Sequence, residues 1–323
     1  MTRAILFDSF GGPEVLQYRE VELAAPGEGQ ARIAHRAIGV NFIDVYHRTG
    51  LYPLKLPSGL GGEGAGVVTA VGPGVTTVVP GDRVAYTAPA PLGSYADERL
   101  VDAKWLVKLP PNVGEQTGAA MMLKGLTAWY LLKRSYRVAA GDWVLLYAAA
   151  GGVGLIAAQW ARELGVRVIG VVGTEAKREL ALRAGCEHVL LDGDDIPRRV
   201  REISGGGVPV VYDSVGRTTF YQSLDCLRPH GLLVSFGNSS GKVEPFALQE
   251  LMKRGSLYVT RPTLQDFIRD PRDLESGAAE LLGLVERGRV KIAVNQTYAL
   301  RDAAQAHRDL EARRTTGCTV LIP

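Results

Sequence analysis

The stretch Trp143-Val144-Leu145-Leu146-Tyr147-Ala148-Ala149-Ala150-Gly151-Gly152-Val153-Gly154 decides the fold. Trp143–Tyr147 is an apolar strand, and from Gly152 to Leu164 apolar residues recur at helical spacing. The turn between them, Ala149-x-Gly151-x-x-Gly154, is the G-x-G-x-x-G fingerprint with alanine in first place. Gly151 lets backbone approach a pyrophosphate, and Gly154 lets the helix pack against the strand. The helix N-terminus offers unbonded N–H groups and partial positive charge to phosphates. Ala150, Gly151, Gly152 and Val153 are therefore the expected phosphate contacts. A glycine triad alone would do no more than close a βα turn. Here a second β-branched strand, Val166–Val172, follows the helix, which is the context a dinucleotide site requires.

Downstream, strands and helices alternate. Glu175–Ala184 reads as a helix, Val189–Leu191 as a strand, Ile196–Ile203 as a helix and Val208–Tyr212 as a strand. Thr218–Leu227 reads as a helix and Leu232–Phe236 as a strand. That alternation predicts an α/β Rossmann fold with a doubly wound parallel sheet. Upstream, Arg3–Phe7, Gln30–Val40, Gly66–Val71, Asp82–Tyr86 and Trp105–Leu109 read as strands punctuated by Gly/Pro turns. After residue 262 the pattern is helical at Leu274–Arg287 and Arg301–Arg313 and closes on a strand, Thr319–Ile322. The expected organisation is a β-rich domain over 1–124, an inserted nucleotide domain over 125–262, and a return to the first domain over 263–323.

The end of the second strand, Val171-Val172-Gly173-Thr174, selects the coenzyme. An acid there would hold a ribose 2′-hydroxyl. None stands on the strand, Glu175 comes late, and Lys177 and Arg178 follow. This pattern favours NADPH over NADH. Lys177 and Arg178 also fit a plain solvated helix face.

The 323 residues are 46% hydrophobic and 22% charged with a formal net charge of +3, which suits a chain of two globular domains. Cations are spread rather than blocked, so a nucleic-acid partner is not expected. No apolar run reaches the ~18 residues of a membrane helix, and Met1–Phe7 lacks a signal-peptide layout. A cytoplasmic location is the expectation. Cys186, Cys226 and Cys318 are far apart, and the five histidines show no ligand spacing, so neither a disulfide framework nor a metal site is expected. His47 reads as a helix-surface imidazole. With no Gly-x-Ser-x-Gly elbow or Cys–His pair, the chemistry falls to a cofactor.

Six runs carry a family resemblance: Gly39-Val40-Asn41-Phe42-Ile43-Asp44-Val45-Tyr46, Arg48-Thr49-Gly50-Leu51-Tyr52, Leu123-Lys124-Gly125-Leu126-Thr127-Ala128, Ala148–Gly154, Val211-Tyr212-Asp213-Ser214-Val215-Gly216 and Val234-Ser235-Phe236-Gly237-Asn238-Ser239-Ser240-Gly241. Together they resemble the zeta-crystallin-type quinone oxidoreductases, zinc-free members of the medium-chain dehydrogenase/reductase superfamily. The resemblance implies a GroES-like domain split around the Rossmann domain, NADPH as cofactor, a quinone substrate and a homodimer. It puts Asn41, Tyr46 and Thr127 at the nicotinamide, Gly173, Thr174 and Lys177 at the adenosine 2′-phosphate, and Ser214, Phe236, Gly237, Asn238 and Ser239 in loops around the cofactor. It brings in Arg313 from the C-terminal segment, with Arg314 beside it. Where zinc-dependent relatives carry Gly-His-Glu, this chain has Gly61-Gly62-Glu63. Where bacterial relatives often carry a tyrosine after the third strand, it has Asp192. A carboxylate there weakens 2′-phosphate binding unless it points away or pairs with Lys177.

The expected reaction is reduction of a quinone by hydride or single-electron transfer. Tyr46 and Asn41 are the candidates to hydrogen-bond the oxygen that gains charge. Packing is the plainer reading of Tyr46, and a turn or cap that of Asn41. Reduction of activated alkenes such as enals and enones is a second reading, and an RNA-binding or crystallin-like structural role a third of another class. The strand Leu257–Thr260 serves either as a twofold contact or as an inner strand.

Overall fold

The computed structural model describes residues 1–323. The chain divides into two compact units: Met1–Leu126 with Ile268–Glu286 and Ile292–Pro323, and Thr127–Phe267 with Arg287–Lys291.

The first unit begins with β1 (Thr2–Phe7), β2 (Gln17–Val21), β3 (Gln30–Val40), α1 (Phe42–Arg48), β4 (Ser58–Gly59) and β5 (Glu63–Val71). It continues with β6 (Arg83–Thr87), β7 (Glu98–Asp102), β8 (Leu106–Lys108) and α2 (Glu115–Tyr130), where the two units divide. The long strand β3 organises this half. Its first part pairs antiparallel with both β5 and β7, and its end pairs with the C-terminal strand described below. Alternate β3 residues are buried, as a sheet with one covered face requires. Ile33, Val68, Val84 and Tyr86 close one core, while Ile5, Phe7, Ile38, Val40 and Leu60 close another.

The second unit holds β9 (Trp143–Tyr147), α3 (Gly152–Glu163), β10 (Arg167–Val172), α4 (Glu175–Ala184), β11 (His188–Leu191) and α5 (Ile196–Ser204). Then come β12 (Val208–Asp213), α6 (Phe220–Asp225), β13 (Leu227–Ser235), α7 (Gln249–Lys253), β14 (Tyr258–Thr260) and α8 (Leu264–Phe267). The six strands are all parallel and run in the order β11-β10-β9-β12-β13-β14. That is the doubly wound Rossmann order, with its switch point between β9 and β12. The strands read as apolar runs because both faces are covered: Leu145, Ile169, Val171, Val211 and Leu233 are all buried in one cluster.

The chain then supplies α9 (Pro271–Glu286), β15 (Val294–Ala299), α10 (Ala303–Glu311) and β16 (Cys318–Ile322). β16 lies antiparallel to β3, with Thr319 opposite Val40, so the last strand completes the sheet that the N-terminal segment began. The Rossmann sheet and its β-rich companion are those expected from the sequence. Four helices are not: α1, α2 and the short α7 and α8. α1 sits inside the Gly39–Tyr46 run, and seven residues give too little periodicity to register. α2 is buried almost all round from Gly118 to Leu132, so it lacks the polar stripe that marks a surface helix.

Gly154 is where the fold is least tolerant. A Cβ there would stand 2.3 Å from the Ala148 carbonyl oxygen and 2.7 Å from Ala149 Cα, which is backbone that cannot swing aside. Gly154→Ala is expected to cost about 1–3 kcal/mol, the usual penalty of overpacking. Urea unfolding followed by circular dichroism measures it, and an unchanged midpoint would contradict the close helix–strand approach.

Candidate active site

In the second unit, α3 begins directly behind the glycine turn. Its N-cap is Gly151, and no side chain caps the first-turn N–H groups. A helix N-terminus left without a side-chain acceptor fits a phosphate. Ala149 and Ala150 are buried under the turn, and Gly151, Gly152 and Val153 form its half-exposed rim. Gly173 and Thr174 follow β10, Thr174 as the N-cap of α4, and Lys177 stands half-buried in that helix's first turn.

The loops after β12 and β13 are stitched to one another. Buried Asp213 accepts hydrogen bonds from Val215 N (2.7 Å), Gly216 N (3.1 Å), Thr219 Oγ1 (2.7 Å) and Ser223 Oγ (2.9 Å), which shapes the turn carrying Ser214. Ser239 N donates to the Ser214 carbonyl at 3.3 Å, and Ser240 Oγ to that of Val215 at 2.8 Å. A Cβ on Gly237 would stand 2.3 Å from the Ser214 oxygen, so the loops touch backbone to backbone. Ser214, Phe236, Gly237, Asn238 and Ser239 are thus brought together at the C-terminal ends of adjacent strands. Thr127, in α2, is buried.

In the first unit, Asn41 is the N-cap of α1, in a capping box with Asp44. Its Nδ2 donates to Glu63 Oε2 at 2.8 Å. Glu63 is fully buried and also accepts from Leu123 N (2.7 Å) and Lys124 Nζ (3.0 Å). Burial opposes the Lys124 charge, but the carboxylates of Glu63 and Asp44 with the Cys318 sulfur between them hold the ammonium above its ordinary pKa. Gly39 makes room for this cluster, since a Cβ there would fall 2.1 Å from Glu63 Oε2 and 2.3 Å from the Ala119 carbonyl.

Asn41, Asp44 and Arg48 form the inward polar face of α1. Asp44 Oδ2 accepts from Asn41 N and from the Tyr95 hydroxyl, both at 2.9 Å. Arg48 Nη1 lies 3.1 Å from His307 Nδ1, and the guanidinium pairs with Glu311 at 2.8 and 2.9 Å. A guanidinium can only donate, so His307 Nδ1 accepts and its Nε2–H points at the Tyr95 oxygen 3.1 Å away. Burial, then the Arg48 charge, lowers the His307 pKa to about 3, so the ring stays neutral and fits this tautomer. Tyr46 lies on the other face, 7% exposed, with its ring against Phe42 and edge-on to Tyr52 at 5.2 Å. His47 is half-buried rather than on the open surface, and its Nδ1 has no partner.

Arg313 adopts φ +58° in the exposed turn after α10, while Arg314 pairs with Asp309 at 3.1 Å. No group of three or more His, Cys, Asp and Glu side chains is placed to hold a metal ion. At residue 62 a Cβ would stand 2.8 Å from the Ala88 carbonyl, so the backbone leaves no room for a ligand side chain. The residues present do not fit a catalytic zinc. No helix is long and apolar enough to cross a membrane.

Sequence reasoning passed over Glu63, Lys124, Asp44, Tyr95, His307 and Asp213 as functional residues. Glu63, Lys124, Tyr95 and His307 act through partners remote in sequence, while the four partners of Asp213 depend on how the turn after β12 folds back. The only early signal was an acid or lysine standing inside an otherwise apolar, glycine-rich run.

Residues 27–111 match the alcohol dehydrogenase GroES-like domain, and residues 152–278 the zinc-binding dehydrogenase family. The chain is 52% identical to the quinone oxidoreductase of Pseudomonas aeruginosa over the full length of both proteins. The crystal structure of Escherichia coli quinone oxidoreductase complexed with NADPH is 48% identical, covers 100% of both chains and superposes with a TM-score of 0.98. The 2-haloacrylate reductase of a Burkholderia species is 44% identical over 100% of this chain and 99% of that protein. Fold and site define an oxidoreductase of the medium-chain dehydrogenase/reductase superfamily. Within it, the chain belongs to the quinone oxidoreductase family.

Burial pushes the Asp44 carboxyl up to about 7, against the pull of the Asn41 N–H, the Tyr95 hydroxyl and the Lys124 charge, with Glu63 adding to the rise. A folded-state value above the ordinary one means that the folded protein holds the proton more tightly. Stability is therefore full below the ordinary carboxylate pKa, declines as pH rises through about 7 and stays reduced above it. Asp44→Asn, which mimics the protonated acid, should remove this part of the dependence. The stability gap between wild type and variant is expected to shift by a few kcal/mol, at about 1.4 kcal/mol per pKa unit, and urea titrations from pH 4 to 8 read it. A gap that does not move with pH would contradict the buried-acid assignment.

Proposed function

We propose that this chain reduces quinones with NADPH, working in the cytoplasm as a homodimer. The observation that carries the reading is the N-terminus of α3, uncapped by any side chain, behind the Ala149–Gly154 turn. NADPH, when bound, supplies the hydride. The chain's own share is to hold the coenzyme and meet the charge that develops on the acceptor.

The α3 N–H groups at Gly152 and Val153 take the pyrophosphate, which comes close to Gly151, whose own N–H donates to the Ala148 carbonyl at 2.9 Å, with Ala150 packed beneath. Gly173, Thr174 and Lys177 receive the adenosine ribose and its 2′-phosphate. Ser214, Phe236, Gly237, Asn238 and Ser239 border the nicotinamide half, together with Thr127. Arg313, in the turn after α10, is the arginine the family resemblance assigns to the cofactor, with Arg314 beside it.

Asn41 and Tyr46 divide the work at the reacting end. Asn41 has its amide N–H directed at Glu63, which also accepts from Lys124, and its side chain is taken up in the capping box with Asp44, so it positions α1 rather than donating to the substrate. Tyr46 is then the donor to the substrate oxygen. Tyr46→Phe is expected to lower kcat for a quinone about 10²-fold, the usual loss when one such donor is removed, while NADPH binding stays as in wild type. Unchanged turnover would assign Tyr46 to packing.

Reduction of an activated alkene is the second reading, supported by the 44% identity to a 2-haloacrylate reductase. Steady-state turnover of 1,4-benzoquinone against 2-chloroacrylate with NADPH decides between them. We expect the quinone to be faster, and a clear excess for chloroacrylate reverses the substrate assignment.

The homodimer reading is supported by β14, the edge strand of the sheet, with Tyr258 61% exposed and Leu248 and Met252 exposed nearby in sequence. An unpaired apolar edge is a natural twofold contact. Sedimentation should give a dimer that Tyr258→Asp weakens to monomer, whereas a wild-type monomer would dismiss the reading.

A further inference from the structure

The head of α1 is held by an acid with two usable charge states. Asp44 is 1% exposed, and its Oδ2 accepts from Asn41 N and from the Tyr95 hydroxyl, both at 2.9 Å. Asn41 caps α1. Tyr95, between β6 and β7, is the last donor of a chain that starts at Arg48 and passes through His307 of α10. Asp44 is therefore the point at which α1, the segment before β7 and α10 are tied together.

Every link of this chain donates toward Asp44, which is the arrangement that suits a carboxylate. A hydrogen bond to a charged acceptor is roughly twice as strong as one to a neutral acceptor. The charged form thus draws in the Tyr95 hydroxyl and the Asn41 N–H, and the neutral acid relaxes them. Desolvation opposes the charge and raises the Asp44 pKa to about 7, so both forms are populated near neutral pH. Of the charged groups facing it, Lys124 on α2 favours the carboxylate and Glu63 on β5 disfavours it. Arg48 stands at the far end of the chain, paired with Glu311. Burial, then the Asp44 charge, holds the Tyr95 proton well above its ordinary range. The His307 pKa is lowered to about 3, the Cys318 thiol is pushed up to about 11, and Lys124 is held above its ordinary value. Asp44 alone among these shifted groups changes charge near neutral pH.

We propose that Asp44 is a positioning residue for the reduction, and that its carboxylate form sets α1, and with it Tyr46, in the geometry that turns over. The inference rests on the proposed function, in which Tyr46 meets the substrate. Tyr46 follows Asp44 on the same seven-residue helix, so a shift at the head of α1 moves its ring. Turnover then rises with pH through about 7. Stability falls over the same range, because the neutral acid is the form that burial favours. A residue that only supported the fold would move turnover and stability together.

The test is the profile of kcat for 1,4-benzoquinone with NADPH from pH 6 to 8, for wild type, Asp44→Asn and Tyr95→Phe, beside their urea midpoints. Wild-type kcat is expected to rise about tenfold on one ionisation, the scale of loss that a small misplacement brings, while KM for NADPH stays level. Asp44→Asn should give a flat profile, about tenfold below wild type at the alkaline end. Tyr95→Phe removes a donor that lowers the Asp44 pKa, so its midpoint should move up by about one pH unit. If Asp44→Asn does not fold, wild type and Tyr95→Phe decide the matter. The inference is overturned if wild-type kcat is flat, if Asp44→Asn keeps the wild-type slope, if Tyr95→Phe leaves the midpoint in place, or if kcat and stability fall together. Wild type that reduces no quinone with NADPH at any pH would instead overturn the proposed function, and this inference with it.

Discussion

One buried carboxylate holds β5, α1 and α2 together. Glu63 has no solvent, so its charge must be met entirely by protein donors, and it draws them from two places: Leu123 N–H and Lys124 on α2, and the Asn41 amide at the head of α1. Removing one partner of such a pair costs about 3–5 kcal/mol, because the other charge is left stranded. That penalty ties β5, α2 and α1 to one arrangement. It also explains the backbone opposite, where Gly39 passes so close to the Glu63 carboxylate and the Ala119 carbonyl that no side chain fits.

The same logic runs along α1. A seven-residue helix is too short to persist on its own, and its buried polar face is what fixes it. Arg48, His307, Tyr95 and Asp44 form a chain in which each donates to the next and Asp44 accepts last, while Arg48 also donates to the part-buried Glu311. Half-satisfied, such a network would cost more than an apolar core; complete, it specifies one geometry. Polar residues at 41, 44 and 48 face inward, and the rings at 42 and 46 are left on another face. The spacing that makes the Gly39–Tyr46 run recognisable is thus the spacing of a helix with one polar, anchored side and one aromatic side.

How much of this was legible in the sequence follows from the range of each interaction. The Rossmann sheet could be read because a strand covered on both faces is an apolar run, and because the Ala149–Gly154 turn is local. β3 could be read to its exact ends because its pattern of burial is written in consecutive residues. α2 could not, since a helix buried all round has no polar stripe to give a period. Glu63, Tyr95 and His307 could not, since their partners lie 60, 51 and 212 positions away. Asp213 was quoted within a motif, yet its four hydrogen bonds depend on how the turn folds back. Arg313 shows the limit from the other side. Its sequence neighbour Arg314 is equivalent by composition, and no local pattern separates the two.

The two ends of the proposed coenzyme site also differ in what holds them. The pyrophosphate end is offered backbone N–H groups and a helix terminus, which recognise any dinucleotide, on a turn where Gly154 cannot be replaced without moving backbone. The proposed 2′ end is made of residues at a strand end and the first turn of α4, Gly173, Thr174 and Lys177, which lie outside the core. Recognition of the class of ligand is therefore built into the fold, while choice within the class rests on a few surface charges. That is why the glycine turn, however specific its context, carries no information about the 2′ group.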